Sequence, residues 1–108
     1  MKIAMPLSEG HVAELSDDCD RFTIVDVDLT EKRIHDSCRA APDTESLGRL
    51  AGWLAKQSVD LVIAVEIEPG VKTDLLASNI RIIAGAPKES PHSVIKAYLA
   101  GALDQPDS

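Results

Sequence analysis

The chain has 108 residues, of which 18 are acidic and 11 basic, giving a formal net charge of −7. Binding to nucleic acid usually needs a basic surface and often stacking aromatic rings, whereas only 3% of these residues are aromatic. A chain of this length supports one hydrophobic core, so we expect a single domain over residues 1–103 and a disordered polar tail at 104–108.

The chain carries no sign of a membrane span or a targeting signal. No apolar run approaches the ~20 residues that cross a bilayer, and the opening MKIAMPL lacks the apolar stretch of a signal peptide. We therefore expect a soluble, cytoplasmic protein. In that compartment the two cysteines, Cys19 and Cys38, are expected to be free thiols.

The first half of the chain predicts a strand and a hairpin. Lys2 to Met5 is a short strand stopped by Pro6, and Leu7 to Arg21 is a polar loop. Phe22 to Leu29 then alternates apolar residues with period two, and Arg33 to Cys38 is expected to return beside it.

A turn at Thr30-Glu31 fixes the register of this hairpin. It sets Asp28 opposite Arg33, Asp26 opposite His35 and Cys38 opposite Thr23. Cys19 then lies ~13 Å from Cys38, which is too far for a disulfide.

The second half predicts alternating helices and strands. Pro42-Asp43-Thr44 caps a first helix that runs to about Gln57, and the apolar strand Leu61 to Val65 follows. Pro69-Gly70 opens a second helix that stops near Asn79, before the strand Ile80 to Ile83. Ser90-Pro91 caps a third helix, whose buried stripe is expected to contain Val94, Ile95, Tyr98, Leu99 and Ala102.

This order predicts an α/β fold: a mixed sheet with an N-terminal hairpin and helices on both faces. The strands that begin at Lys2, Leu61 and Ile80 are expected to be parallel. Ligands of open α/β sheets bind beyond the carboxyl ends of the strands, which makes the turn Glu66-Ile67-Glu68-Pro69-Gly70 a candidate site.

Four segments in this order and spacing resemble the dinitrogenase iron-molybdenum cofactor biosynthesis family, the NifX and NafY group. They are MKIAMPL, GHVAELSDDCDRFTIVDVD, VDLVIAVEIEPG and NIRIIAGAP with VIKAYLAGAL. The resemblance implies a ribonuclease H-like α/β fold. It also implies a non-enzymatic carrier of a metal–sulfur cluster, either iron–sulfur or molybdenum–iron–sulfur, working with cluster-assembly or acceptor proteins.

Two marks of the family are changed in this chain. The family's His-Phe-Gly triplet, whose histidine is implicated in cluster binding, falls on Leu15, Ser16 and Asp17. Its glycine-rich loop falls on residues 65–68, where Glu66 and Glu68 would repel an anionic cluster at a helix N-terminus. Pro69-Gly70 keeps the expected character.

Other residues offer substitute ligands, each with a plainer alternative. His11 could replace the missing histidine or be a solvated loop residue, and Cys19 could bind metal or be a small buried hydrophobe. Glu66 and Glu68 could hold a hard cation with Asp74 or form a solvated acidic loop.

Two functions remain. The chain is either a cluster carrier or a cluster-free interaction or regulatory module, with a homodimer possible in both cases. A ribonuclease H-type nuclease is disfavoured because the strand Lys2 to Met5 carries no acid to hold a metal. Catalytic fingerprints such as a P-loop or Gly-x-Ser-x-Gly are absent from the sequence.

Overall fold

A computed structural model describes residues 1–15, 21–28, 30–41, 50–86 and 88–101. These residues form a six-stranded mixed sheet and helices that pack on both of its faces. The elements are β1 (Lys2–Ser8), β2 (His11–Val12), β3 (Phe22–Asp28), β4 (Arg33–Ala40), α1 (Leu50–Lys56), β5 (Leu61–Ile63), α2 (Pro69–Ala77), β6 (Arg81–Ile83) and α3 (Pro91–Leu99).

The strands lie in the order β4-β3-β1-β5-β6, with β2 paired to the end of β1. β1, β5 and β6 are parallel, whereas β3 and β4 form an antiparallel hairpin on the other side of β1. This arrangement confirms the predicted mixed sheet, its three parallel strands and its N-terminal hairpin. The ribonuclease H-like label stays a prediction.

Each face of the sheet covers its own apolar core. Ala4, Phe22 and Ile24 pack with α1 and α2, and the rings of Phe22 and Trp53 lie 5.4 Å apart. Val25 and Val27 point to the opposite face and pack with α3. The period-two alternation of β3 therefore assigns its residues to the two cores as predicted.

β1 is longer than the sequence predicts, because Pro6 does not end it. Pro6 lies opposite Phe22 of β3, while its carbonyl accepts from Ala13 N–H at 3.0 Å on the other side. On the side of β1 that faces β5, the pairing ends at Ala4 and Val62. Proline has no N–H to donate, but no hydrogen bond to β5 is needed at position 6. The strand continues to Ser8.

The register predicted for the β3–β4 hairpin is correct only near its turn. Asp28 lies opposite Arg33, as expected, but a β-bulge follows, with Ile34 opposite Val27 and Asp36 opposite Asp26. His35 is the extra residue on β4, so the predicted pairing of Asp26 with His35 is wrong.

The same bulge changes the position of the cysteine on β4. Cys38 lies opposite Ile24 instead of Thr23. It is exposed and free, in agreement with the expected thiol. Cys19 lies outside the described residues, so the predicted separation of the two cysteines stays a prediction.

The Asp28 carboxylate organises the hairpin turn. Its Oδ1 accepts from the N–H groups of Thr30, at 2.9 Å, and Glu31, at 3.1 Å. The bond from Glu31 is the main reason that the pKa of Asp28 is lowered; desolvation, the next largest effect, opposes it, and the bond from Thr30 and the charges of Arg33 and His35 lower the pKa further. The turn is therefore stabilised by the ionised carboxylate.

α2 begins and ends where the sequence predicts, whereas α3 begins at the predicted Pro91 but ends at Leu99, earlier than the predicted stripe to Ala102 implies. Pro69 and Pro91 occupy first-turn positions, and the Ser90 hydroxyl accepts from Ser93 N–H at 3.3 Å as an N-cap. Asn79 ends the α2 segment with a positive φ of 62°. The predicted cap at 42–44, Ala102 and the tail at 104–108 lie outside the described residues.

Candidate functional site

One edge of the sheet gathers most of the connecting segments. β1, β5 and β6 end at this edge because they are parallel, and the antiparallel pairing of β1 with β3 makes β3 begin there and β4 end there. We call it the carboxyl edge. It comprises the segments 9–15, 64–68, 84–86 and 88–90, together with Arg21 and the residues around Ala40. Ligands of open α/β sheets bind at such edges.

The segment from His11 to Leu15 is fixed by backbone hydrogen bonds on both sides. Val12 N–H donates to Glu89 O at 2.9 Å, and Val65 N–H donates to Ala13 O at 3.1 Å. The sequence suggests an irregular polar loop here, but the chain adds two short pairings to the sheet. The carboxyl edge is therefore ordered by main-chain bonds before any ligand binds.

A tight turn joins β1 to β2. Ser8 and His11 lie opposite each other, and the two residues between them, Glu9 and Gly10, have φ of 53° and 81°. Two consecutive positive φ values are what a type I′ hairpin turn requires. Gly10 adopts this conformation freely, whereas Glu9 is strained by its side chain. The turn presents the exposed His11 at the carboxyl edge.

Leu15 lies in the core and not at the surface. Its side chain is 1% exposed and belongs to the cluster that packs against α1 and α2. Its N–H donates to Glu66 O at 2.8 Å, and its carbonyl accepts from Glu68 N–H at 3.0 Å. The position that aligns with the family's ligand histidine is thus directed into the protein in this chain.

The acidic turn before α2 is exposed, as the sequence suggests. Glu66, Glu68, Pro69 and Gly70 are all exposed, and a Cβ added at Gly70 would meet no atom within 4 Å. Glu68 is the N-cap of α2 but its side chain makes no capping bond. Neither glutamate has a positive φ, so the backbone here does not require glycine.

Two adjoining clefts open on either side of the β1–β2 turn. The first, which we call the histidine cleft, has a volume of about 510 Å³ and is lined by Ser8, Glu9, His11, Val12, Ala13, Glu14 and Lys88. Among the described residues, its walls carry one lysine and two glutamates. Of the predicted site residues that the structure describes, only His11 lines it.

The second, which we call the arginine cleft, is larger, at about 650 Å³. Its lining comes from the last residues of β1 and β4 and the first residues of β3 and α3, together with neighbouring loop residues. The lining residues are Leu7, Ser8, Glu9, Gly10, Arg21, Phe22, Thr23, Arg39, Ala40, Ala41 and Pro91. Sequence patterns do not single out Arg21 or Arg39, because only the bulge at His35 brings them to one face.

No ready-made metal centre is present in the described ranges. There, no three His, Cys, Asp or Glu side chains come together in an arrangement that could hold a metal ion. Glu66, Glu68 and Asp74 therefore do not form the hard-cation site that was one alternative. Cys19, Ser16 and Asp17 lie in the undescribed segment 16–20, so the predicted cysteine ligand is not placed.

The described helices are also all too short and too polar to cross a membrane. The protein is a small mixed α/β domain with clefts at one edge of its sheet. Among such domains the sequence identifies the group: residues 1–101 match the family described as dinitrogenase iron-molybdenum cofactor. The chain belongs to this family.

Solved structures of low sequence identity share the fold. The apo form of the orange protein from Desulfovibrio gigas superposes with a TM-score of 0.77 at 17% identity, over 99% of this chain and 96% of that one. A chain described as a putative dinitrogenase from Methanocaldococcus jannaschii gives a TM-score of 0.76 at 19% identity, over 96% and 92%. At such identities the likeness shows the fold alone. No curated protein sequence matches the chain.

Proposed function

We propose that this protein is a non-enzymatic carrier that binds an anionic metal–sulfur cluster, iron–sulfur or molybdenum–iron–sulfur, at its carboxyl edge. Membership of the dinitrogenase iron-molybdenum cofactor family supports the class of ligand. The observation that carries the proposal is the exposed His11 in a preformed cleft at this edge.

His11 has the chemistry and the support that a cluster ligand needs. An imidazole nitrogen binds iron and related transition metals. The residue belongs to β2, which pairs with Ser8 on one side and continues into Val12, bound to Glu89 O on the other. Because the backbone is held in this way, ligand binding would require little ordering of the protein.

The charges around His11 act on an anionic cluster in opposite directions. Lys88 attracts an anionic cluster, but Glu9 and Glu14 line the same cleft and oppose it. Glu66 and Glu68 add negative charge near the start of α2, where free N–H groups and the helix dipole would otherwise attract an anion. The acidic residues therefore lower the affinity for the cluster without abolishing it, which suits a carrier that must release its cargo to another protein.

The remaining predicted site residues enter the proposal in different ways. Pro69 and Gly70 are the exposed first residues of α2, and a cluster could approach their backbone closely. Cys19 is a proposed second ligand.

The proposed partners are cluster-assembly or acceptor proteins in the cytoplasm, and a homodimer is compatible with this role.

A cluster-free interaction or regulatory module is the second candidate function. The burial of Leu15 favours it, because the position of the family's ligand histidine contributes here to core packing. A protein that kept the fold for contacts with partners would need no ligand at this position.

Anaerobic reconstitution distinguishes the two functions. The parent protein is mixed with tetrathiomolybdate or with an iron–sulfur cluster, desalted, and analysed for visible absorbance and metal content. We expect the parent to retain a coloured, stoichiometric species and His11→Ala to lose most of it. The matched control is His92→Ala, which removes another exposed histidine that does not line the histidine cleft.

Two outcomes would contradict the carrier. If neither cluster stays with the parent, the cluster-free module is favoured. If His11→Ala and His92→Ala both bind as the parent does, the cluster is held elsewhere and His11 is not its ligand.

A further inference from the structure

We infer that the edge of the sheet at β4 is a latent pairing site for a second copy of this chain, and that the Asp36 side chain keeps it closed. The inference goes beyond the carrier function and does not depend on it. It rests on the backbone groups of β4 that face away from the sheet, on one hydrogen bond from Ser37 and on the side chains that self-pairing would bring together.

The hydrogen bonds between β1 and β3 show how the backbone of β3 is oriented. Val27 N–H donates to Met1 O at 2.8 Å, and Arg21 O accepts from Leu7 N–H at 2.9 Å. The backbone groups of successive strand residues point to alternate sides, so the odd-numbered residues from 21 to 27 face β1. The even-numbered residues of β3 therefore face β4.

The register of the hairpin then orients the backbone of β4. Three of its residues lie opposite even-numbered residues of β3: Asp36, Cys38 and Ala40. Their N–H and C=O groups are directed at β3, so those of Ser37 and Arg39 point away from the sheet. We call the backbone groups of Ser37 and Arg39 the outer edge. Within the described part of the chain, no strand pairs with this side of β4.

A side chain already occupies the first donor of the outer edge. Ser37 N–H donates to Asp36 Oδ1 at 2.8 Å. Unpaired N–H and C=O groups allow an edge strand to pair with another chain, and proteins limit this with charged side chains and bulges. A second strand could not accept from Ser37 without displacing the Asp36 carboxylate, which is a stronger acceptor than a carbonyl. Asp36 therefore blocks pairing at the outer edge.

The side chains of β4 do not themselves prevent self-pairing. In an antiparallel pair of two copies centred on Cys38, Ser37 N–H of each copy would donate to Arg39 O of the other. Ser37 would then lie opposite Arg39, Asp36 opposite Ala40, and Cys38 opposite its own copy. This register sets no like charges directly opposite each other, so the capping bond at Ser37 is the main obstacle to it.

Neighbouring registers are less favourable. Pairs centred on Asp36 or on Arg39 would each set two like charges opposite each other. A pair centred on Ser37 would set Arg39 opposite the bulge residue His35, where the regular pleat is interrupted. We therefore expect the register centred on Cys38. It brings two exposed thiols together, with roughly 5 Å between their Cβ atoms.

Removal of the capping carboxylate tests the inference. We expect Asp36→Ala to dimerise at least about tenfold more tightly than the parent in sedimentation velocity of the full chain, since the donor at Ser37 becomes free. Asp36→Asn is the matched control, because its amide oxygen can still accept from Ser37 N–H although the charge is gone. It should remain close to the parent.

Two further variants keep the test specific to the outer edge. Ser37→Pro added to Asp36→Ala removes the outward N–H, which an edge strand tolerates, and should return the protein to the weak association of the parent. A short bismaleimide should cross-link the Asp36→Ala dimer through Cys38. Adding Cys38→Ser should abolish the cross-link and leave the dimer, which excludes linkage through Cys19.

Each contrary result overturns a defined part of the inference. If Asp36→Ala associates no more tightly than the parent, or if Ser37→Pro does not suppress its dimer, Asp36 does not close the outer edge. If Asp36→Asn dimerises as tightly as Asp36→Ala, the charge and not the capping bond keeps the copies apart. A dimer that is not cross-linked at Cys38 would overturn the register. A parent protein that already forms the cross-linked dimer would show that the edge is open.

Discussion

Leu15 and Glu66 are joined through their backbones, with Leu15 N–H donating to Glu66 O at 2.8 Å. Leu15 and Glu66 are two of the positions at which the resemblance implies a departure from the family's ligand motifs, and they are neighbours in one short parallel pairing, centred on Leu15 and Ile67. The leucine at position 15 contributes to the core, and the glutamate at position 66 adds surface charge. Their effects on stability and on binding can be measured separately.

Replacing Leu15 with histidine should destabilise the fold and not restore a ligand. The side chain is 1% exposed within an apolar cluster, so a polar imidazole there would lose packing and hydrogen bonds to water. We expect the free energy of unfolding in urea to fall by about 2–4 kcal/mol. Leu15→Met, which nearly conserves volume, should cost less than about 1.5 kcal/mol. A Leu15→His protein as stable as the parent would mean that this side chain can turn to the surface.

Neutralising the acidic turn should strengthen the binding of an anionic cluster. Glu66→Gln with Glu68→Gln keeps side-chain size and removes two exposed charges beside the start of α2. The expected gain is at least ~1 kcal/mol, or about fivefold in affinity for tetrathiomolybdate measured by anaerobic absorbance titration. Asp74→Asn, which removes an exposed acid further along α2, is the control and should change affinity less. Equal gains from both variants would place the effect in the net charge of the protein.

The β1–β2 turn should gain stability from a residue that accepts positive φ. Glu9 has a φ of 53°, and asparagine is favoured at the first central position of a type I′ turn before glycine. We expect Glu9→Asn to raise the free energy of unfolding by about 0.5–1 kcal/mol. Glu9→Ala removes the same charge without relieving the strain, and urea denaturation should show no comparable gain. A matching gain in both variants would assign the effect to charge.

Acid should weaken the β3–β4 hairpin through Asp28. Its pKa is lower in the folded protein than in the unfolded chain, chiefly because the Glu31 N–H bonds the carboxylate. The stabilisation is therefore complete above the unfolded pKa of about 4 and is lost as pH falls through the lower folded value. Urea unfolding at a series of pH values should show this loss in the parent and a flatter profile in Asp28→Asn. Identical slopes below pH ~4 would exclude a contribution from Asp28.

The sequence predicts the elements better than it predicts their connections. The alternation of β3, the proline at the start of α2 and the Ser90-Pro91 cap each reflect local preferences, and the structure has them where expected. The continuation of β1 past Pro6 depends on where β5 stops pairing, which no local pattern encodes. The pairing of Val12 with Glu89 O likewise joins segments that are distant in the chain.

The sequence predicts the edge of the sheet at which the clefts lie, but only some of the residues that line them. The carboxyl edge follows from the strand order, and His11 does line a cleft there. The burial of Leu15 was not predicted, because an ungapped comparison with a family motif assigns a position without the direction of its side chain. Lys88, Arg21 and Arg39 carry no motif, and they matter only once the fold places them on cleft walls.

The extra residue at His35 shifts the register of β4 by one residue, so the alternation of its side chains between the two faces is reversed beyond the bulge. With continuous pairing from the turn, Arg39 would lie opposite Phe22 and point towards α1 and α2, whereas the bulge sets it opposite Thr23, on the face shared with Arg21. A variant that lacks His35 would therefore keep every side chain of the arginine cleft in the sequence while turning one of its two guanidinium groups to the far side of the sheet. One extra residue near the turn of a hairpin can in this way determine which face of the sheet the side chains at the far end of the strand occupy.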